Sequence, residues 1–255
     1  MPVFASSQGA GHPKSMDSER VVLTAEWRHL AMLNYEVDRH LLLKFVPQGT
    51  ELDIWNGKVF VSLVGFRFLK TRVLGLPIPF HANFDEVNLR FYVRRQEGQE
   101  VRRGVVFIRE IVPRRGIAFL ARTLYNENYV ALPMSHDIAA NGQGATAVSY
   151  RWQTPRGWST ITLAAEGDSQ PMNPGSDQEF IAEHYWGYAA QRDGGTMEYR
   201  VTHPSWRVWI ARRSEFAGEV EELYGRELAA VLRGTPASAF LAEGSAVAVM
   251  RGRRL

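Results

Sequence analysis

The stretch "NFDEVNLRFYV", Asn83 to Val93, alternates two kinds of side chain. Val87, Leu89, Phe91 and Val93 form one set, and Glu86, Asn88, Arg90 and Tyr92 the other. An extended strand therefore shows one apolar face and one face of acid, amide, guanidinium and phenol. A carboxyl can carry a proton, and a guanidinium can hold a carboxylate through charge-assisted bonds. Such a face is either the wet side of an ordinary amphipathic strand or the wall of a pocket. Glu86 and Arg90 are four residues apart, roughly 13 Å between Cα atoms, so Asn88 or a neighbouring strand must bridge them. In "RGVVFIREIVPR", Arg109 and Glu110 point to opposite faces, and at most one joins the Glu86 set unless a bulge intervenes. By strict alternation Arg109 goes with Val105 and Phe107, and Glu110 with Val106 and Ile108.

The remaining chemistry is limited by what the chain lacks. It has no cysteine, which excludes disulfides, thiolate nucleophiles and cysteine-ligated zinc or iron–sulfur centres. No Gly-x-Ser-x-Gly elbow and no dinucleotide or phosphate-loop glycine pattern is present. His136, His184 and His203 show no His-x-x-x-His spacing, so they are expected as hydrogen-bonded structural histidines, and neither a metal nor a cofactor is expected. Tyr125, Tyr129, Tyr185 and Trp186 line a ligand cavity or fill the core. Lys14, Lys44, Lys58 and Lys70 are the lysines, and none has a lysine neighbour.

Positioning these groups falls mostly to strands. The 255 residues are 45% hydrophobic and 11% aromatic, enough for a sizeable core in one domain, expected over 17–255. Residues 1–16, rich in Gly, Ser and Pro, read as a disordered arm, with Met1 and Met16 as alternative starts. No apolar run has the length to span a bilayer, and a cytoplasmic protein is expected. The net charge of +3 comes from 30 basic and 27 acidic residues, so the surface is nearly balanced and nucleic-acid binding is not implied.

"ELDIW" and "KVFVSLVGFRF" around Asn56-Gly57 predict a hairpin with a type I′ turn. "DRHLLLKFVP" predicts a short helix capped by Asp38. Strands are expected at 86–95, 103–112 and 116–124, and "ATAVSYRWQ" and "STITLAAE" pair across "TPRGW", so that 52–165 forms continuous antiparallel sheet. Ser176 and Glu179 have capping-box spacing, which predicts a helix from Ser176 to Ala190 on the outside of the sheet. "EFAGEVEELYGRELAAVLRG" predicts a second helix ended by Gly234. "TMEYRVTHPSWRVWIARR" predicts two strands broken at His203-Pro204, and "SAVAVMR" a last strand. The class is α+β, built on a large, curved, mostly antiparallel sheet.

The blocks "GLPIPFHANFDEVNLRFYVRR", "RGVVFIREIVPR", "ARTLYNENYVALPM", "SDQEFIAEHYWGY" and "YRVTHPSWRVW", in that order, resemble the YqjF-like family of uncharacterised bacterial proteins. That family is grouped by fold with acetoacetate decarboxylase. The resemblance implies a cone-like barrel with a buried cavity and a few outer helices. It also implies that Glu86 aligns with an active-site carboxylate, which turns Glu86, Asn88 and Arg90 inward. The decarboxylase needs a pair of adjacent lysines, one depressing the pKa of the Schiff-base amine. That pair is missing here, where the corresponding region reads "YNENYVALPM". Three functions remain in view. One is a cavity that binds a small keto or hydroxy acid without Schiff-base chemistry, using Asn88, Arg90, Arg109, Tyr125 and Tyr129. Another is a lyase or other acid–base enzyme with Glu86 as proton carrier, and the last is a scaffold or nucleic-acid partner using the arginine-rich surface, against which the nearly balanced charge argues.

Overall fold

The computed structural model describes residues 20–78, 82–113, 128–141 and 144–255. The described chain enters on β1 (Val21–Glu36) and passes two 3-10 turns at Arg39–Leu41 and Leu43–Phe45. β2 (Glu51–Leu52), β3 (Phe60–Val73), β4 (Leu76–Pro77), β5 (Phe84–Glu97) and β6 (Glu100–Val112) follow. Next come β7 (Tyr129–Ala131), β8 (Met134–Asn141), β9 (Gly144–Thr154), β10 (Gly157–Ala165), β11 (Gln170–Pro171) and helix α1 (Asp177–Ala182). The rest is β12 (Trp186–Ala190), β13 (Thr196–Thr202), β14 (Arg207–Ala217), helices α2 (Glu221–Tyr224) and α3 (Arg226–Leu232), β15 (Ser238–Met250) and β16 (Arg253–Arg254).

Strand pairing runs β13–β12–β6–β5–β3–β1–β15 and returns from β15 to β13 through Val249↔Val201 and Ala248↔Thr202. These seven strands form a closed circuit, so each has one face toward the middle and one away. Pairing is antiparallel except that β12 and β7 lie parallel to β6. From β15 the sheet continues outward through β14, β10, β9 and β8. This outer tract, with α2 and α3, covers the outward face of the circuit.

Two cores result. The outer one joins Val87, Leu89, Phe91 and Val93 to Tyr150, Trp152, Ile161 and Leu163 of the outer tract and to Leu228 and Leu232 of α3. The inner one joins Leu30, Met32, Phe66, Phe68, Phe84 and Tyr92 to Phe180, Ile181 and Trp206. Both faces of β5 are therefore buried, and every residue from Phe84 to Val93 is buried. Val87, Leu89, Phe91 and Val93 face the second layer together with Asp85, and Glu86, Asn88, Arg90 and Tyr92 face the middle of the circuit together with Phe84.

Two irregularities decide which side chains turn inward. Between β5 and β6 the register slips, with Leu89 opposite Arg109 but Arg90 opposite Phe107, leaving Ile108 as the extra residue of a bulge. The Asn128 amide holds that bulge by donating to the Ile108 carbonyl at 2.9 Å. In β1 the pairing with β3 slips between Arg28 and Ala31, where His29 has φ 56. Trp27 before the slip and Leu30 after it both reach the inner core.

Several expectations need correction. The Asn56-Gly57 turn has the positive φ values of 50 and 80, yet only one bridge, Trp55↔Lys58, closes over it. "ELDIW" instead pairs with β5 through Glu51↔Arg94 and Leu52↔Val93, because β3 has β1 and β5 on its two sides. Asp38 caps as expected, accepting from the His40 amide at 2.9 Å, but on a 3-10 turn. The helix from Ser176 is capped by the Ser176 hydroxyl yet ends at Ala182. It is not outside the sheet: Phe180, Ile181 and Ala182 are buried in the inner core. The segment beyond it is taken by pairing as β12, which bridges β6 and β13. The second helix is split into α2 and α3, while "EFA" before them ends β14. The strands of 52–165 are not one run of antiparallel neighbours, since β7 is parallel to β6 and β8, β9 and β10 join the circuit through β14. The strand expected at 116–124 lies outside the described residues. The β9–β10 hairpin, the two strands around His203-Pro204 and the last strand stand where expected.

Gly187 lies in the short seam where β12 closes the circuit. A Cβ there would come within 2.1 Å of the Tyr199 ring. Gly187→Ala is expected to destabilise the fold by about 1–3 kcal/mol through overpacking, seen as a lowered urea midpoint with an unchanged slope.

Candidate functional site

The middle of the circuit holds a cavity of about 130 Å³. A dry cavity of roughly 150 Å³ takes up benzene, so this one suits a small organic molecule. One wall is the polar face of β5, with Glu86, Asn88 and Arg90, joined by Glu110 of β6 and Tyr129 of β7. Another part of the lining is aromatic: Trp27 meets Phe66, Phe68 and Trp206 in edge contacts at 5.5, 5.8 and 6.4 Å, and His203 stacks on Trp206 at 4.2 Å.

Glu86, Asn88 and Glu110 are each 2% exposed, and Arg90 is 8% exposed. Asn88 donates to Glu86 Oε1 at 2.9 Å, but among the described residues its own Oδ1 has no partner, so it does not bridge Glu86 to Arg90. The Tyr129 hydroxyl donates to Glu86 Oε2 at 3.3 Å. Burial pushes the Glu86 carboxyl up to about 7, against the bonds from Asn88 and Tyr129 and the charge of Arg90, which pull it down. Burial also pushes the Tyr129 phenol well above its ordinary value, reinforced by the charges of Glu110 and Glu86. The arrangement can hold or release one proton near neutrality beside a guanidinium.

Arg90 reaches α1, where its Nη2 donates to the Ile181 carbonyl at 3.4 Å, and it sits 5.8 Å from the Tyr92 ring centre. Among the described residues its Nε has no hydrogen-bond partner. Further along the same face, Tyr92 and Ser62 share a hydrogen bond of 2.6 Å, Ser62 donates to Asn34 Oδ1 at 2.6 Å, and Asn34 donates to Ser238 at 3.1 Å. This chain crosses four strands of the circuit and satisfies the polar groups beyond Arg90 on the strand.

The bulge reverses the alternation expected for β6. Glu110, opposite Asn88, joins the cavity, while Arg109 sits opposite Leu89 on the face of the outer core and does not line it. Tyr129 lines the cavity, and Tyr125 lies outside the described residues. His136 belongs to the other face of β5, bonding Asp85 at 2.8 Å. His184 and His203 line the cavity, although neither was expected as a site residue. The charged Glu110 inside the apolar run "VVFIREIV" was the visible signal for it. Among the described residues no group of three or more His, Cys, Asp or Glu is placed to hold a metal, and no helix is long and apolar enough to cross a membrane. Lys70 is exposed and pairs with Glu26 at 2.5 Å, and among the described residues no lysine lines the cavity.

A family model described as an uncharacterised conserved protein, DUF2071, matches residues 24–246. The chain belongs to the DUF2071 family. The uncharacterised protein YqjF of Bacillus subtilis is 29% identical over 197 residues, 76% of each chain. Among solved structures, the enduracididine biosynthesis enzyme MppR complexed with pyruvate matches with a TM-score of 0.65 at 12% identity, over 98% of each chain. Acetoacetate decarboxylase from Legionella pneumophila matches with a TM-score of 0.63 at 11% identity, over 99% of this chain and 98% of that one. These structural likenesses establish that this member of DUF2071 has the decarboxylase-like fold.

Glu86 makes a testable contribution to stability. Between the ordinary carboxyl value of 4.5 and about 7 the folded chain holds a proton that the unfolded chain releases. The stabilisation is full below 4.5 and is lost as pH rises through 7, an effect on the order of 3 kcal/mol. His184, held down to about 4 by burial, slopes the other way below its ordinary value of 6.5. The Glu86 part is therefore read as the difference between wild type and Glu86→Gln in urea unfolding. That difference is expected to change between pH 4.5 and 7 and to level off above.

Proposed function

We propose that the circuit acts as a cone-like barrel whose cavity binds a small keto or hydroxy acid without Schiff-base chemistry. The observation that carries this reading is Arg90, a guanidinium 8% exposed in a cavity wall, with an unpartnered Nε and no direct carboxylate pair among the described residues. A buried cation with spare donors is complementary to a carboxylate. The cavity volume fits a molecule of that class, and the similar enzyme MppR is described in complex with pyruvate, itself a keto acid. The aromatic wall takes the apolar remainder of the ligand. Among the described lining residues there is no lysine, which favours a chemistry other than that of an amine nucleophile.

A second reading is favoured by Glu86, whose carboxyl is pushed up to about 7 within the same cavity. In this reading Glu86 acts as general base, taking a proton from the carbon beside a bound carbonyl and returning it to the same centre or to a leaving fragment. Asn88 and Tyr129 would hold the carboxyl in place through the bonds already described.

Thermal shift against a panel of small keto and hydroxy acids tests the first reading. A ligand at ten times its dissociation constant adds about 1.4 kcal/mol of stability, and Arg90→Ala is expected to remove about 1.5–3 kcal/mol of affinity. A panel with no binder, or binding indifferent to Arg90→Ala, would contradict it. Exchange of keto-acid carbon protons in D2O, followed by NMR, tests the second. Exchange above background in wild type and its loss in Glu86→Gln with binding retained is the expected pattern, whereas equal exchange in both proteins removes Glu86 from the chemistry. Borohydride added with a keto acid is expected to trap no adduct, and a mass increase on any lysine overturns the exclusion of Schiff-base chemistry.

A further inference from the structure

Arg90 has a second polar neighbour on the cavity lining. His184 follows α1 and lines the cavity, with its side chain 1% exposed. Its Nε2 lies 3.2 Å from Asp53 Oδ2, and the same oxygen accepts from Arg103 Nε at 2.6 Å. Burial opposes ionisation of Asp53, but the bonds from His184 and Arg103 hold its carboxyl below the usual range. The ring is neutral, since burial lowers His184 to about 4 despite Asp53. A neutral imidazole beside an ionised carboxylate carries its proton on the nitrogen facing that carboxylate. Nδ1 is then a bare lone pair, and it has no hydrogen-bond partner among the described residues.

Arg90 and His184 converge from two elements. The Arg90 guanidinium bonds the carbonyl of Ile181, three residues before His184, and Tyr92 packs its ring 4.7 Å from the imidazole. Among the described residues Arg90 Nε is a buried donor without an acceptor, and His184 Nδ1 a buried acceptor without a donor. The pair is complementary to a ligand that presents a carboxylate next to a hydroxyl. A keto acid offers acceptors at both places and leaves Nδ1 unsatisfied.

We propose that His184, held in its tautomer by Asp53, is a ligand-contacting residue that accepts a hydrogen bond from the ligand hydroxyl and selects 2-hydroxy acids over the matching 2-keto acids. This rests on the reading that Arg90 anchors a carboxylate, and it narrows the ligand class of that site.

Calorimetric titration with matched pairs tests it: lactate against pyruvate, and mandelate against phenylglyoxylate, the second pair matching the aromatic wall. In wild type the hydroxy acid of each binding pair should bind ~tenfold or more tightly than its keto partner, because a site built for a hydroxyl rejects the analogue without one. His184→Phe, which keeps a ring against Tyr92 and Phe180, should bring the two members within ~twofold. Asp53→Asn, which frees the tautomer, should narrow the preference while leaving binding dependent on Arg90. In wild type the 15N resonance of His184 Nδ1 should move on adding the hydroxy acid, a readout that needs no variant to fold. Equal affinities in wild type, or a preference unchanged in a folded His184→Phe, overturn this inference and leave the Arg90 reading standing. Failure of every acid to bind wild type overturns both.

Discussion

Glu86 is a carboxyl taken out of water, and most of the architecture can be followed from the cost of putting it there. An isolated buried charge is too expensive to keep, so such a group gives up its charge or acquires partners. Here it does some of both: Asn88 and Tyr129 bond its two oxygens, Arg90 acts on it through charge, and burial still raises it to about 7. Glu110, brought opposite Asn88, places a second acid on the same wall. A folded protein retains so many ionisable groups around one small space at a cost to stability, and such clusters are where pKa values tuned for binding or proton transfer are found.

That wall exists because the sheet closes on itself. The polar face of β5 would be solvated in an open two-layer sheet, and the return pairing of β15 to β13 puts it inside. Closure in turn demands close approaches. Gly187 leaves room for the Tyr199 ring, and Gly244, with φ 81, leaves room for the Trp27 carbonyl, which a Cβ would approach to 2.0 Å. The outer tract completes the arrangement by covering Val87, Leu89, Phe91 and Val93. A strand buried on both faces but apolar on only one is the mark of an enclosed polar site.

The alternation in "NFDEVNLRFYV" was legible because a strand has a strict period of two, and the structure turns the two sets to opposite sides as that period requires. Whether the polar set faced water or a cavity depended on closure, a contact between β13 and β15 that lies far along the chain and leaves no local signal. The resemblance to decarboxylase-like proteins implied an inward Glu86, Asn88 and Arg90, and the structure has all three on the cavity lining, while their role there is the proposal above. Arg109 was misplaced for a physical reason: one extra residue, Ile108, reverses the faces of a strand, and it is held by Asn128 from a separate segment. The helix expected to run to Ala190 failed similarly. Its cap at Ser176 is local and was readable, whereas its early end reflects the pairing of Trp186 and Gly187 with Gly104 and Val105. His184, left at that junction, looked like any helical histidine until Asp53 was placed beside it.

The central claim is that the polar face of β5 is the wall of an acid-binding cavity, and a crystal structure of the protein soaked with a small 2-hydroxy or 2-keto acid tests it most directly. The account predicts ligand density inside the strand circuit, with the ligand carboxylate within hydrogen-bond distance of the Arg90 guanidinium and the apolar end toward Trp27 and Trp206. Density on the outer surface alone, or a carboxylate inside the circuit turned away from Arg90, would contradict it.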